Sequence, residues 1–389
     1  MSASRPRNSA FADLQSYAFV RLDEAKARAR ARGVEVIDFT IGDPKEETPR
    51  FVRDRVRETL PDRSSYPPAV GLPALRGAIT AWVSRRFGVS LDPDRHLTPA
   101  NGSKEAVYSI HQALVDPGGD RRIVWIPDPA YPVYEIAARF AGAEVRPLPL
   151  VPDLGFLPDL SALDPDLLDR TALLWTNYPN NPTAATAGAH FFEEALRLAR
   201  AHGFWLASDE AYSEIYFDQP PPSALSAGLE NLIVFQTLSK RSAMTGYRSG
   251  FMAGDPELIE MLKRVRPSQG VATPTFIQEA AILAWGEETH VTHLREIYRR
   301  KRDRILPVLQ RAGIDVAPSN ATFFLYFRAP EGETSQSFVE RMLEAGLAMA
   351  PGDMFGETGF GWVRMALVPT EEECARAATI LERHLGGAR

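Results

Sequence analysis

Four short apolar runs, each separated from the next by a longer stretch with helical patterning, constrain this chain more than any other feature. They are IVWIP (123–127), ALLWTN (172–177), FWLASDE (204–210) and LIVFQTL (232–238). Runs that are apolar on both faces and too short for helices read as strands covered on both sides. Between two of them, HFFEEALRLARAHG (190–203) is amphipathic and ends on Gly203, a helix-stop residue. Strands that alternate with helices point to an α/β fold, a mainly parallel central sheet flanked by helices.

After Trp285 the texture changes. A long charged helix pattern (289–313) leads into FFLYFR (323–328), the helical SQSFVERMLEAG (335–346), GWVRMAL (361–367) and a last helix. This reads as a smaller α+β domain. The arginine-rich start and the Gly42 turn precede the sheet pattern and are expected to join it. The expected division is a large domain over 46–285 and a small domain built from 1–45 plus 286–389.

Composition removes several classes. Lys and Arg number 44 against 50 Asp and Glu, a net charge of −6, so a nucleic-acid partner is not expected. A single cysteine, Cys374, excludes an internal disulfide or a multi-cysteine metal centre and fits a reducing compartment. No run is long and apolar enough for a membrane span, and the first residues lack a signal-peptide core, so the cytoplasm is the expected location. KARARAR (26–32) reads as a solvated helix face. His290 and His293 stand three apart without a third ligand in a recognisable pattern, so no metal site is expected. GETGFG (356–361) has the wrong glycine spacing for a dinucleotide loop, and no phosphate-binding GxxxxGK[ST] or GxSxG elbow occurs.

Polar residues gather where the strands end. Lys240 and Arg248 lie in QTLSKRSAMTGYRSG (236–250), beyond one run. Asp209 closes another, with Tyr212 three residues on, while Asn181 follows a third in NYPNNPT (177–183). Tyr131 follows a fourth in PDPAYPVY (127–134), and NGSKEAVYSI (101–110) reads as a tight glycine turn entering a helix. Taken singly, each has an ordinary reading: a surface lysine, a helix N-cap aspartate, a turn asparagine, half-buried tyrosines, surface ion pairs at Arg248 and Arg364. Open α/β sheets bind ligands beyond the carboxyl ends of their strands, so together these residues converge on one crevice.

On these motifs the chain resembles the class I/II aminotransferases, the fold-type I enzymes that use pyridoxal 5′-phosphate (PLP), from about Gly42 to Arg364. The resemblance implies that Lys240 forms the Schiff base and then acts as general base, and that Asp209 partners the pyridine nitrogen. It implies that Tyr212 and Asn181 bond the ring hydroxyl and that Tyr131 stacks on the ring. Gly102, Ser103 and Lys104, opening a helix, would hold the phosphate with Thr237, Ser239 and Arg248. Tyr66, in SYPPAVGLPALRGAI (65–79), resembles the tyrosine that reaches the neighbouring subunit's phosphate, which implies a homodimer with shared active sites. Arg364 resembles the arginine that grips the substrate α-carboxylate, with Gly42 of IGDP (41–44) as a backbone donor and Asn181 beside it. One departure stands out: Ala184 follows NPT where the family often has Gly.

Several segments are similar to N-succinyl-L,L-diaminopimelate aminotransferases, among them LQSYAFVRL (14–22), NGSKEAV, SDEAYSEIYFD and AAILAWGEETHV. That likeness implies a ping-pong exchange between glutamate/2-oxoglutarate and N-succinyl-2-amino-6-oxopimelate, in lysine and diaminopimelate biosynthesis. A second cation beyond Arg364 is then expected, with Arg21, Lys263 and Arg266 as candidates. The alternatives are an aminotransferase for aspartate, alanine or aromatic amino acids, and a PLP-dependent C–S β-lyase.

Overall fold

The computed structural model describes residues 18–385 together with Asn8 and Ala10; the other terminal residues, including part of the segment 14–22, lie outside the described residues. In chain order the strands are β1 (Ile37–Asp38), β2 (Leu97–Ala100), β3 (Ile123–Asp128), β4 (Glu144–Pro149), β5 (Thr171–Asn177) and β6 (Trp205–Asp209). They continue as β7 (Leu232–Thr237), β8 (Gly250–Gly254), β9 (Phe324–Arg328), β10 (Leu347–Ala348), β11 (Ala350–Pro351) and β12 (Trp362–Ala366).

Seven strands form the central sheet in the order β2-β8-β7-β6-β5-β3-β4. Its pairs are parallel except where β8 runs against both its neighbours. The four runs read from sequence are β3, β5, β6 and β7, the middle of the sheet. Side chains alternate across a strand, and here both faces are dry. Leu174, Leu206 and Val234 enter one apolar cluster, while Leu173, Trp175, Ala207 and Phe235 enter another. Against the first face pack helices Pro73–Phe87, Ala189–His202 and Thr275–Gly286, through residues such as Trp82, Phe192 and Trp285. Against the second pack Ser103–Leu114, Val133–Phe140 and Pro256–Val265, through Ile110, Tyr134 and Leu258. Each fully buried large side chain contributes about 1.5–3 kcal/mol, which is why the four middle strands keep their interiors apolar and place polar residues at their ends.

The C-terminal third builds a second, antiparallel sheet in the order β11-β12-β9, packed with helices Thr289–Arg311, Ser335–Glu344 and Glu371–Leu385 around a third cluster. β1 pairs with β10, and Ile37 and Phe39 enter the same cluster, so the early segment joins the late one. That cluster also takes in Tyr212 and Ile215, which follow β6. Among the described residues no helix is long and apolar enough to cross a membrane.

Candidate active site

Register brings the polar strand ends level. Asn177 pairs with Asp209 across β5 and β6, and Asp209 with Phe235 on β7, two residues before Thr237. Beyond these ends lies a cavity of about 580 Å³. Its lining contains Ser103, Lys104, Tyr131, Asn181, Asp209 and Tyr212 from the central sheet's connections, then Thr237, Ser239, Lys240 and Arg248, with Gly42 and Arg364 from the other half.

Lys240 sits in the short helix Leu238–Arg241 that follows β7 directly, with Thr237 as N-cap. Its ammonium donates to the Gly42 carbonyl. Burial pushes its pKa down to about 8, helped by the like charges of Arg248, Arg364 and Lys104 and opposed by Asp43. Asp209 shows the mirror effect: burial raises its carboxyl, against hydrogen bonds that favour the charged form. The Tyr134 hydroxyl donates to Asp209 Oδ2 at 2.7 Å and the Ala211 amide to Oδ1 at 3.1 Å. Behind it, Tyr134 stacks on Trp175 at 4.7 Å, and the Trp175 indole donates to His111 Nε2 at 3.1 Å. Burial holds His111 neutral, with its pKa pushed down to about 4.

Gly102 does not line the cavity; it caps helix Ser103–Leu114 at φ 73. A Cβ on Gly102 would fall 2.5 Å from Arg248 Nη2, so the turn and the guanidinium can lie this close only with glycine there. Arg248 Nη2 donates to the Asn101 carbonyl and Nη1 to that of Thr245, each at 2.9 Å. The Thr237 hydroxyl reaches Ser239 Oγ at 2.9 Å. Arg364, on β12 and 3% exposed, donates through Nη1 to Asn181 Oδ1 at 2.8 Å and through Nη2 to the Thr40 carbonyl. Phe324 and Phe355 lie 4.7 and 4.4 Å from its guanidinium. Tyr212 packs edge-on against Phe323 and Phe324.

Three sequence candidates for a distal cation are elsewhere. Arg266 is buried and forks onto Glu105, with Nη1–Oε1 at 2.7 Å and Nη2–Oε2 at 3.1 Å. Glu105 Oε2 in turn accepts the Asn101 amide at 3.0 Å, so this ion pair braces the glycine turn. Lys263 donates to the Asp94 carbonyl, and Arg21 is exposed and off the lining. The lining supplies a different cation, Lys104, whose ammonium stands 5.9 Å from the Tyr131 ring centre. Tyr66 is fully exposed and away from its own chain's cavity. Ala184 adopts φ 60, the left-handed conformation a glycine takes freely, at a cost of about 1–2 kcal/mol. His290 is engaged at both nitrogens, Nδ1 with Glu287 and Nε2 with Ser242 at 2.8 Å.

Sequence reasoning missed Tyr134, Asn177, Asp43 and Phe355, all of them lining residues. Tyr134 was the legible one, being three residues past Tyr131 at the start of a helix.

This donor set fits a PLP-sized group. Hydroxyls at Ser103, Thr237 and Ser239 and the Arg248 fork suit a dianionic phosphate, an amine at the cavity wall suits an aldehyde, and a carboxylate suits a ring nitrogen. Fold and site together define a PLP-dependent enzyme built on a mostly parallel central sheet. The family model "Aminotransferase class I and II" matches residues 34–381, and the chain belongs to that family, whose members use pyridoxal phosphate. It is 40% identical to an LL-diaminopimelate aminotransferase of Nitratidesulfovibrio vulgaris over 92% of this chain and 93% of that one. Among solved structures it is similar to an aminotransferase from Neisseria meningitidis, with TM-score 0.91 and 33% identity over 97% of this chain and 100% of the other. A probable N-succinyldiaminopimelate aminotransferase from Thermus thermophilus superposes with TM-score 0.88 at 34% identity, over 94% and 99%.

Proposed function

We propose that the chain exchanges an amino group between glutamate/2-oxoglutarate and a diaminopimelate-type amino acid, in lysine and diaminopimelate biosynthesis. The observation that carries this is the half-buried Lys240, its pKa lowered to about 8, facing one cavity with Asp209 and Arg364. When bound, the cofactor supplies an aldehyde and a ring that draws electrons from the carbon being deprotonated. Lys240 Nζ would hold the cofactor through its aldehyde and, once a substrate amine had taken its place there, would take and return the substrate α-proton. Asp209 Oδ2, held by Tyr134, favours a proton on the ring nitrogen. Tyr212 and Asn181 serve the ring hydroxyl, and Tyr131 the ring face. Ser103, Thr237, Ser239, Arg248 and the amides after Gly102 serve the phosphate. Arg364 takes the α-carboxylate as a planar fork, with the Gly42 backbone beside it.

Lys104 is our candidate for the distal carboxylate, in place of the three cations expected from sequence. Free LL-diaminopimelate is the first reading of the substrate, supported by relatives of that name at 37–40% identity. The N-succinyl form is the second, supported by the Thermus thermophilus neighbour at 34%. We also propose a homodimer in which Tyr66 completes the partner's site, consistent with its full exposure. The domain division at 46–285 and 1–45 plus 286–389 is likewise a proposal, supported by the pairing of β1 with β10.

The test is a panel of amino donors with 2-oxoglutarate as acceptor, read by half-reaction spectra. Turnover of LL-diaminopimelate or its N-succinyl derivative at least about tenfold above aspartate, alanine and phenylalanine supports the reading. Preference for one of those three would replace the substrate, and release of pyruvate and ammonia from cystathionine would replace the reaction with a C–S lyase.

A further inference from the structure

The loop that follows β11 carries Phe355 into the cavity and is fastened to the central sheet. Asp128, the last residue of β3, accepts the Thr358 amide at 3.2 Å and the Thr358 hydroxyl at 3.0 Å, both on Oδ1. Two residues on, the Ala130 amide donates to the Phe355 carbonyl at 2.7 Å. Gly356 lies between these contacts at φ 139, and a Cβ there would come within 2.0 Å of Asp128 Oδ1. The loop is therefore fitted against one carboxylate oxygen so closely that only glycine passes. Phe355 is 5% exposed, and its ring lies 4.4 Å from the Arg364 guanidinium.

We infer that Asp128 is a positioning residue: through Thr358, Gly356 and Phe355 it sets the guanidinium of Arg364 for the substrate carboxylate. The inference rests on the proposed reading of Arg364 as the α-carboxylate anchor. The chain of contacts crosses from the large sheet to the small one. Arg364 donates hydrogen bonds to Asn181 Oδ1 and the Thr40 carbonyl, and one wall against which its plane rests is Phe355. A fork grips a carboxylate at two points only when its plane is fixed, so releasing that wall weakens substrate binding before it affects proton transfer.

The test is steady-state kinetics of the PLP-loaded enzyme with the best amino donor of the panel above. Asp128→Leu removes the acceptor at similar size; Asp128→Asn keeps an oxygen in place; Thr358→Val removes one donor at an exposed position. Expected for Asp128→Leu is a KM raised about tenfold, with kcat within about twofold of wild type and the cofactor's visible band unchanged. Asp128→Asn should return KM to within about twofold, and Thr358→Val should raise it about threefold. A merely structural role would not split KM from kcat, nor be rescued by Asn. The inference is overturned by an unmoved KM in Asp128→Leu, by an equal rise in Asp128→Asn, or by a loss of the cofactor band that tracks the kinetic loss. If Asp128→Leu does not fold, Thr358→Val decides, an unchanged KM counting against. A wild-type chain with no transaminase activity would instead refute the functional reading itself.

Discussion

Burial acts on Lys240 and Asp209 in opposite senses, lowering the amine to about 8 and raising the carboxyl, because each loses water from its charged form. For the lysine this is useful directly. For the aspartate it must be countered, since the proposed role needs the anion, and the Tyr134 hydroxyl is the side-chain group that does so. Tyr134→Phe should therefore raise the Asp209 pKa. The carboxylate would be lost at a higher pH as pH falls, and the acid limb of the kcat profile should move to higher pH. A hydrogen bond to a charged group is worth about 1.5–3 kcal/mol, so a roughly tenfold or greater drop in kcat at the acid edge is expected. A pH profile that superposes on wild type would refute the coupling. The candidate site's residues were legible where a polar type broke an apolar run, as at Asp209 and Lys240. Phe355 and Asn177 were not, because an aromatic in a loop and an asparagine at a strand end look ordinary until the fold brings them to the cavity. The candidates for a distal cation rested on placement alone: Arg266 and Lys263 lie near the site's motifs in sequence, yet Arg266 is spent on Glu105 and neither lines the cavity.

At the scale of elements, the central strands were read correctly and the edges were not. β4 contains Pro147 and Pro149, and β2 contains Pro99; both strands lie at the sheet's margins, where a missing amide is tolerated. β8 is the short GFMAG, too small to stand out as a run. The long helix Thr289–Arg311 shows how the early segment is held. Lys301 on this helix pairs with Glu46, and the Tyr298 hydroxyl donates to Glu46 Oε2 at 2.7 Å. Side-chain exposures of 2% and 9% make this a desolvated pair. Lys301→Met leaves Glu46 buried without its cation and should cost about 3 kcal/mol in urea unfolding. Adding Glu46→Leu should recover most of that loss, since the cost is the stranded charge and not the missing attraction. A single variant as stable as wild type would contradict this view of the contact.

For the whole molecule, the proposed dimer makes a prediction that one chain alone cannot. Lys240→Ala and Tyr66→Ala variants are each expected to be inactive or strongly impaired. Mixed in equal amounts and allowed to exchange subunits, they should recover about a quarter of wild-type activity, because half the dimers are mixed and each has one intact site. Light scattering should give about twice the 43.1 kDa chain mass. No recovery on mixing, with exchange verified by mass, would confine Tyr66 to its own subunit. Tyr66 was named from the motif around it, not from composition, and the folded chain leaves it fully exposed.

The most direct measurement is chemical. The chain is incubated with pyridoxal 5′-phosphate, reduced with borohydride, digested, and its peptides are weighed. The account predicts one phosphopyridoxyl mass, on Lys240, formed faster as pH rises toward about 8, where the amine loses its proton. Label spread over surface lysines, or a peptide containing Lys240 that stays unmodified, would contradict it.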